Sequence, residues 1–296
     1  MRESIDRRGD AVVYLVLITH ALTASGTHLI AKVVVHTVDP FTLTLVRSLI
    51  AVGGMSVVLL ARRKWFRLRR EDWRLALVLS FLAVPVNQFL FLFGMRFTTP
   101  ANAALLYSTT PILVLLLSRW SLAEPLTRRK ITGVTLGFLG VTVVIFERGV
   151  DASMQYVYGN LIIFLAVIAW ALYTVYGKRL IARYGPIEAS AVTLFGGTLL
   201  FLPLGFIPAL AFPYETLHAS DWAQIFYLGL ITSVVAYLLW YFALARIEAA
   251  KVALFSNLQP ILTTVLALLL LGQGITGLFV AGGLLAIGGV ILAQFG

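Results

Sequence analysis

Ten apolar runs, most of about 17–25 residues, follow one another along this chain with short polar connections between them. Each is long enough to cross a bilayer as a helix, because about 20 residues at 1.5 Å per residue cover the ~30 Å hydrocarbon core. The runs are about 11–35, 41–61, 74–95, 98–119, 130–146, 159–180, 187–207, 222–244, 249–271 and 275–295. No soluble domain fits between them. The expected fold is an all-α integral membrane protein with ten transmembrane helices.

Composition agrees: 60% of the 296 residues are hydrophobic and 12% charged, against roughly 25% charged in an average soluble domain. The chain has no cysteine, which excludes disulfides and thiolate metal sites. The net charge of +10 does not point to nucleic acid, because the basic residues sit in short segments between apolar runs. With the N-terminus inside, nineteen Lys and Arg fall on the inner side, seven of them within 62–74. Three fall outside (Lys32, Arg96, Arg148), and Arg47 lies within the second run. That bias places both termini in the cytoplasm, in a plasma (bacterial inner) membrane.

The chain repeats itself. At an offset of 149, residues 94–143 and 243–292 agree at thirteen positions, where biased composition alone gives about one in ten. The matches include Ala104/Ala253, Pro111/Pro260, Ile112/Ile261, Gly133/Gly282 and Gly140/Gly289. "DW" at 72–73 recurs at 221–222. At an offset of 146, "ASGTHLIAK" (24–32) aligns with "WALYTVYGK" (170–178), and "DP" at 39–40 with "GP" at 185–186. The unit is therefore five helices: 11–146 and 159–295, joined by 147–158. Five is odd, so the second copy enters the membrane from the opposite side. Inverted repeats of this kind are typical of secondary transporters.

Both copies carry a proline inside an apolar run, in "STTPIL" (108–113) and "NLQPIL" (257–262). A proline leaves a carbonyl one turn earlier without its donor, and in lipid that group must find a partner or line a wet cavity. Matching interruptions in inverted halves point to a shared central site, with Tyr107, Thr110, Ser256 and Gln259 as contacts and Pro111 and Pro260 as helix breaks or gates. The plainer alternative is that the prolines only bend helices for packing.

These features resemble the EamA-type transporters of the drug/metabolite transporter superfamily. The resemblance rests on "SGTHLIAK" ending in Lys32, Arg47 in "FTLTLVRSLIA", and the run "TTPANAALLYSTTPILVLLLSRWSLAEPLTRRKITGVTLGFLGV" with Pro111 and Glu124. The second half departs, with Gln273 where Glu124 stands and Thr193 where Arg47 stands. The resemblance implies a basket of helices one to four and six to nine around a central cavity, with five and ten peripheral. It also implies export of metabolites or drugs, including amino acids, or exchange of nucleotide sugars or sugar phosphates.

A polar stripe on an apolar helix faces protein or water rather than lipid. His20, Thr23, Ala24, Thr27 and His28 share one face of the first helix. The aligned face of the sixth carries Trp170, Tyr173, Thr174, Gly177 and Lys178, and Asn87 and Gln88 sit deep in the third. His20 is either a titratable gate or ligand contact, or a histidine hydrogen-bonded between helices. Trp170 suits stacking on a flat or apolar ligand. Trp240 and Tyr241 are expected to anchor the eighth helix at the interface, about 27 Å from Trp222. Arg47 either binds an anionic group or snorkels about 9 Å to the outer surface. The glycines at 133, 137, 140, 282, 283 and 289 suit close helix packing.

"GQGITG" at 272–277 has no strand before it and is a chance match to a dinucleotide motif. HExxH, GxSxG and the P-loop are absent, so neither catalytic residues nor a cofactor or metal are expected. No Asp or Glu lies mid-span, so proton coupling would rest on His20, His28 or the substrate. The expected function is a secondary exporter of small organic metabolites, amino-acid-like or drug-like. An anion exchanger using Arg47, Lys32 and Lys178 is the alternative within transport; a membrane enzyme or a non-transporting scaffold is the alternative outside it. The expected partners are a small-molecule substrate and the lipid bilayer, without nucleic acid, and a homodimer is compatible with the fold.

Overall fold

The computed structural model describes residues 7–63, 67–147, 154–262, 265 and 277–295, all helix, turn or loop, with no strand among them. The helices are α1 (Arg7–Thr37), α2 (Pro40–Arg62), α3 (Arg70–Met95), α4 (Pro100–Tyr107), α5 (Thr110–Ser121) and α6 (Arg128–Glu147). The second half holds α7 (Met154–Tyr184), α8 (Pro186–Ala211), α9 (Ala219–Leu244), α10 (Ala249–Ala253, continued to residue 262) and α11 (Gly277–Gln294).

Seven segments among the described residues are long and apolar enough to cross a membrane: α1, α2, α3, the α4–α5 pair, α7, α8 and α9. Helices α6 and α11 occupy the runs expected at 130–146 and 275–295 without meeting that measure. The ninth run is helical as far as 262, and its remainder, with Gln273 and most of "GQGITG", lies outside the described residues.

The sequence explains how the helices begin. The Asp39 carboxylate accepts from the N–H groups of Phe41 and Thr42, both at 3.0 Å, and caps α2 ahead of Pro40. At the aligned "GP", Gly185 takes φ +88° before Pro186 starts α8, a conformation that residues with a Cβ seldom adopt. Thr99 caps α4 through the Asn102 N–H at 3.1 Å.

The repeat is visible in the contacts. Backbone atoms of Gly133 approach Gly289, and those of Gly140 approach Gly282. The offset of 149 exchanges one pair for the other, as a two-fold axis between α6 and α11 requires. The absent Cβ atoms let the two backbones touch. Lys32 donates to the Thr98 carbonyl at 2.7 Å, and its counterpart Lys178 donates to the Ile247 carbonyl at 2.8 Å. Residues 98 and 247 are again related by 149, so the same bond is made once in each half.

Two irregularities recur as well. Helix α3 widens to π geometry over Leu82–Gln88, around Pro85, and α9 does so over Tyr227–Ala236. The fourth and ninth runs both break ahead of their prolines. Ser108 and Thr109 form a turn between α4 and α5, and Leu254–Asn257 is a 3-10 turn. At the first break the hydroxyls of Ser108 and Thr109 each donate to a preceding carbonyl, Leu105 and Leu106 respectively, both at 2.6 Å.

Candidate functional site

A cavity of about 80 Å³ lies where α1, α2, α3, α4, α7, α9 and the segment after α10 converge. Of the residues expected at a site, His20, Thr27, Arg47, Asn87, Gln88, Tyr107, Trp170 and Gln259 line it. Thr110, Tyr173 and Ser256 are buried but absent from its wall. Of the two residues just before each proline break, one therefore reaches the cavity: Tyr107 in the first half, Gln259 in the second.

The wall is organised around the repeat axis. Gln88 Nε2 donates to the Tyr237 hydroxyl at 3.2 Å, and these two residues are separated by 149. A residue bonded to its own repeat counterpart marks the axis itself. Tyr237 in turn donates to Asn87 Oδ1 at 3.4 Å, while Asn87 Nδ2 donates to the Tyr107 hydroxyl (3.0 Å) and the Ala166 carbonyl (2.9 Å). The π stretches carry Asn87, Gln88 and Thr232, with Tyr237 directly after the second; an extra residue in a helical turn re-aims side chains at such a place. Thr232, Ala236 and Tyr237 were not among the sequence-level candidates. The signal was present: carrying Gln88 forward by 149 lands on Tyr237.

Across from this cluster, His20 Nδ1 lies 3.0 Å from the Ala236 carbonyl, and the hydroxyls of Thr27 and Thr232 meet at 2.9 Å. His28 Nε2 sits 3.4 Å from Gln259 Oε1. Ser25 donates to the Gln259 carbonyl at 3.1 Å, next to Pro260. His20 and His28 thus both lie between helices and on the cavity wall, so the two readings open for His20 describe one placement.

Arg47 does not snorkel. It is 2% exposed, and Nη2 turns inward to Ser233 Oγ at 2.8 Å. Lys32 and Lys178 lie away from the cavity. Lys32 donates to the carbonyls of Met95 and Thr98; Lys178 donates to Glu124 (3.0 Å) and Ile247.

The interface role expected for Trp240 and Tyr241 is overturned, since both are fully buried. The Trp240 ring lies 4.7 Å from His20 and 5.3 Å from Trp170, and its Nε1 donates to Thr174 at 3.1 Å. Tyr241 stacks on Tyr173 at 5.1 Å. Distance along a helix was the wrong guide, because α1 and α7 cover this face of α9. Of the resulting aromatic layer of Trp170, Tyr173, Tyr237, Trp240 and Tyr241, Trp170 and Tyr237 reach the cavity wall and the other three pack behind them. At the aligned first-half positions the chain carries Ala24 and Thr27 instead of Trp170 and Tyr173.

A larger cavity of about 880 Å³ lies between α2, α3 and α8, lined by apolar side chains with Ser80 and Arg63. Despite its size it is the weaker candidate for a polar solute, having little hydrogen-bonding capacity and no part of α1, α4, α7 or α9.

A model of the EamA-like transporter family matches residues 11–146 and again 157–295. The chain belongs to the EamA-like transporter family. This EamA transporter is 27% identical over 95% of its length to the uncharacterized transporter YyaM of Bacillus subtilis, of which the match covers 93%. It is also 27% identical over 76% of its length to a protein of Streptantibioticus cattleyicolor named a probable terminal-alkyne amino-acid exporter, of which 74% is covered. A solved crystal structure, 24% identical, superposes with a TM-score of 0.80 over 96% of this chain and 98% of that one. At that identity the likeness establishes the fold alone.

Proposed function

We propose that this EamA transporter is a secondary exporter of small organic metabolites, amino-acid-like or drug-like, that works by alternating access. In this reading ten spans form two inverted five-helix repeats, 11–146 and 159–295, in the plasma membrane, with both termini cytoplasmic. The observation that carries it is the meeting of repeat counterparts at the cavity, with Gln88 bonded to Tyr237 on the axis. A site on the axis of two inverted halves can face either side of the membrane by rocking one half against the other. The exporter named for the Streptantibioticus relative supports the amino-acid-like class.

At about 80 Å³ the cavity is smaller than the ~300–1,000 Å³ usual for ligand pockets. The state described is a contracted one, and loading requires the halves to separate. Glu124 helps to hold it closed, accepting from the Ala249 N–H at 2.8 Å, from Ala250 at 3.3 Å and from Lys178 at 3.0 Å. An exchanger of dianionic sugar phosphates fits less well, because among the described residues Arg47 is the single Lys or Arg on the cavity wall.

The test is a thermal-shift screen of purified protein against amino acids, their derivatives and small drugs, followed by counterflow of any hit in proteoliposomes. A stabilising ligand raises the melting temperature because it binds the folded form, and a transported one is exchanged across the membrane. Hits that bind without counterflow reject transport of those compounds.

A further inference from the structure

We infer that the substrate of the central cavity carries a carboxylate and that Arg47 is its receptor. The inference rests on the cavity being the substrate site, as proposed above, and goes beyond it by naming the chemical group recognised and the residue that recognises it.

A guanidinium stays protonated in any protein setting, and a charge buried in a membrane interior is costly unless it is paired. Arg47 is 2% exposed. Among the described residues it makes no ion pair, its Nη2 bonds to the neutral Ser233 hydroxyl, and its buried Nε–H has no partner. Among the described residues, the cavity that it lines carries no Asp or Glu. The lysines within the apolar runs are placed differently: Lys32 sits against two backbone carbonyls, Lys178 against a carbonyl and Glu124, Lys130 against Glu248 and a carbonyl, and Lys251 against the Gln294 carbonyl. Arg47 is therefore a buried cation with unpaired N–H capacity, lining a cavity whose described wall holds no counter-charge.

The repeat sharpens this point. At the aligned position the second half has Thr193, whose hydroxyl meets that of Tyr173 at 2.9 Å. A charge on one side of the axis only gives the wall a single cation, on α2, among the rings of Phe91, Tyr107, Trp170 and Tyr237. A solute with an anionic head and an apolar body matches both features. A carboxylate fits the head best, because it takes two parallel N–H bonds from a guanidinium, whereas a doubly charged phosphate would bring more charge than one arginine offsets.

The experiment measures binding to purified wild-type protein of leucine and phenylalanine, each beside its primary amide and its decarboxylated amine. At least one acid is expected to bind at least roughly tenfold more tightly than its amide and amine, the loss that follows when a charged hydrogen bond has no partner. Arg47→Gln should bring acid and amide to equal affinity, and Arg47→Lys should keep part of the preference. Ala24→Trp should abolish binding of every compound by filling the cavity; Trp170 occupies the aligned position in the other half. Equal binding of acid and amide by the wild type, no binding by either acid, or a preference that survives Arg47→Gln overturns the inference. The wild-type comparison holds even if a variant fails to fold. If Ala24→Trp binds the acids normally, the failure lies with the cavity as the site. If Ala24→Trp blocks binding while Arg47→Gln keeps the preference, only the carboxylate assignment falls.

Discussion

The residues immediately before the two prolines divide into one that touches the cavity and one that supports it. Gln259 reaches the wall, where His28 meets its side chain and Ser25 its carbonyl, whereas Thr110 is fully buried behind the wall. Gln259→Leu is therefore expected to abolish ligand binding with little change in melting temperature. Thr110→Leu is expected to lower stability by about 1–3 kcal/mol through overpacking and to leave the affinity of folded protein intact. Binding and melting measured on the same preparations separate the two; equal loss of binding in both variants contradicts this division. Trp240 makes the complementary case. With its ring packed on His20 and Trp170, Trp240→Ala should cost about 3–5 kcal/mol of stability, read from denaturant unfolding in detergent. An interfacial anchor would cost far less. The polar face of α1 was legible in the sequence because a 3.6-residue period is a local property. The burial of Trp240 was not, since it depends on which helices lie across from α9, and nothing local encodes that.

At the scale of elements, the repeat did most of the work, and its reach shows why some parts were readable. The offset relates Gly133 to Gly282 and Gly140 to Gly289, and these four are where α6 and α11 touch, with Gly133 against Gly289 and Gly140 against Gly282. The π stretches in α3 and α9 left no such trace, because widening a helix by one residue needs no particular residue type. Glu124 shows what joins the elements. Burial raises its pKa, but the N–H groups of Ala249 and Ala250 and the Lys178 ammonium outweigh that and hold it below the usual carboxylate range. A lowered folded pKa means that Glu124 contributes stability at neutral pH, in full above its unfolded value of about 4.3. That contribution is lost as pH falls through the folded value. Glu124→Gln should therefore melt lower than wild type at pH 7, by the equivalent of about 1–2 kcal/mol, and the two melting curves should converge in acid. A gap that persists at pH 3 would assign the effect to packing instead of charge.

For the whole molecule, the inverted arrangement proposed above makes a demand that no single half makes: equivalent loops must lie on opposite faces of the membrane. The connection from α2 to α3 and that from α8 to α9 are such a pair, fixed in register by "DW" at 72–73 and 221–222. The first holds seven Lys and Arg within 62–74, and the second holds none within 208–221. Basic loops are retained on the cytoplasmic side, so the charge difference and the repeat point the same way. Arg67 and Thr216 are exposed and related by the offset of 149, and the natural chain contains no cysteine. Arg67→Cys and Thr216→Cys thus each introduce a single thiol into an otherwise unreactive background. On intact cells a membrane-impermeant maleimide should label the cysteine at 216 and leave the one at 67 unlabelled until the cells are opened. Replacing Arg67 leaves six basic residues in its loop, too small a change to reverse the orientation. Labelling of both positions from the same side would mean an even number of spans per repeat and parallel halves, in which case the axis through Gln88 and Tyr237 could not exchange the two faces of the membrane.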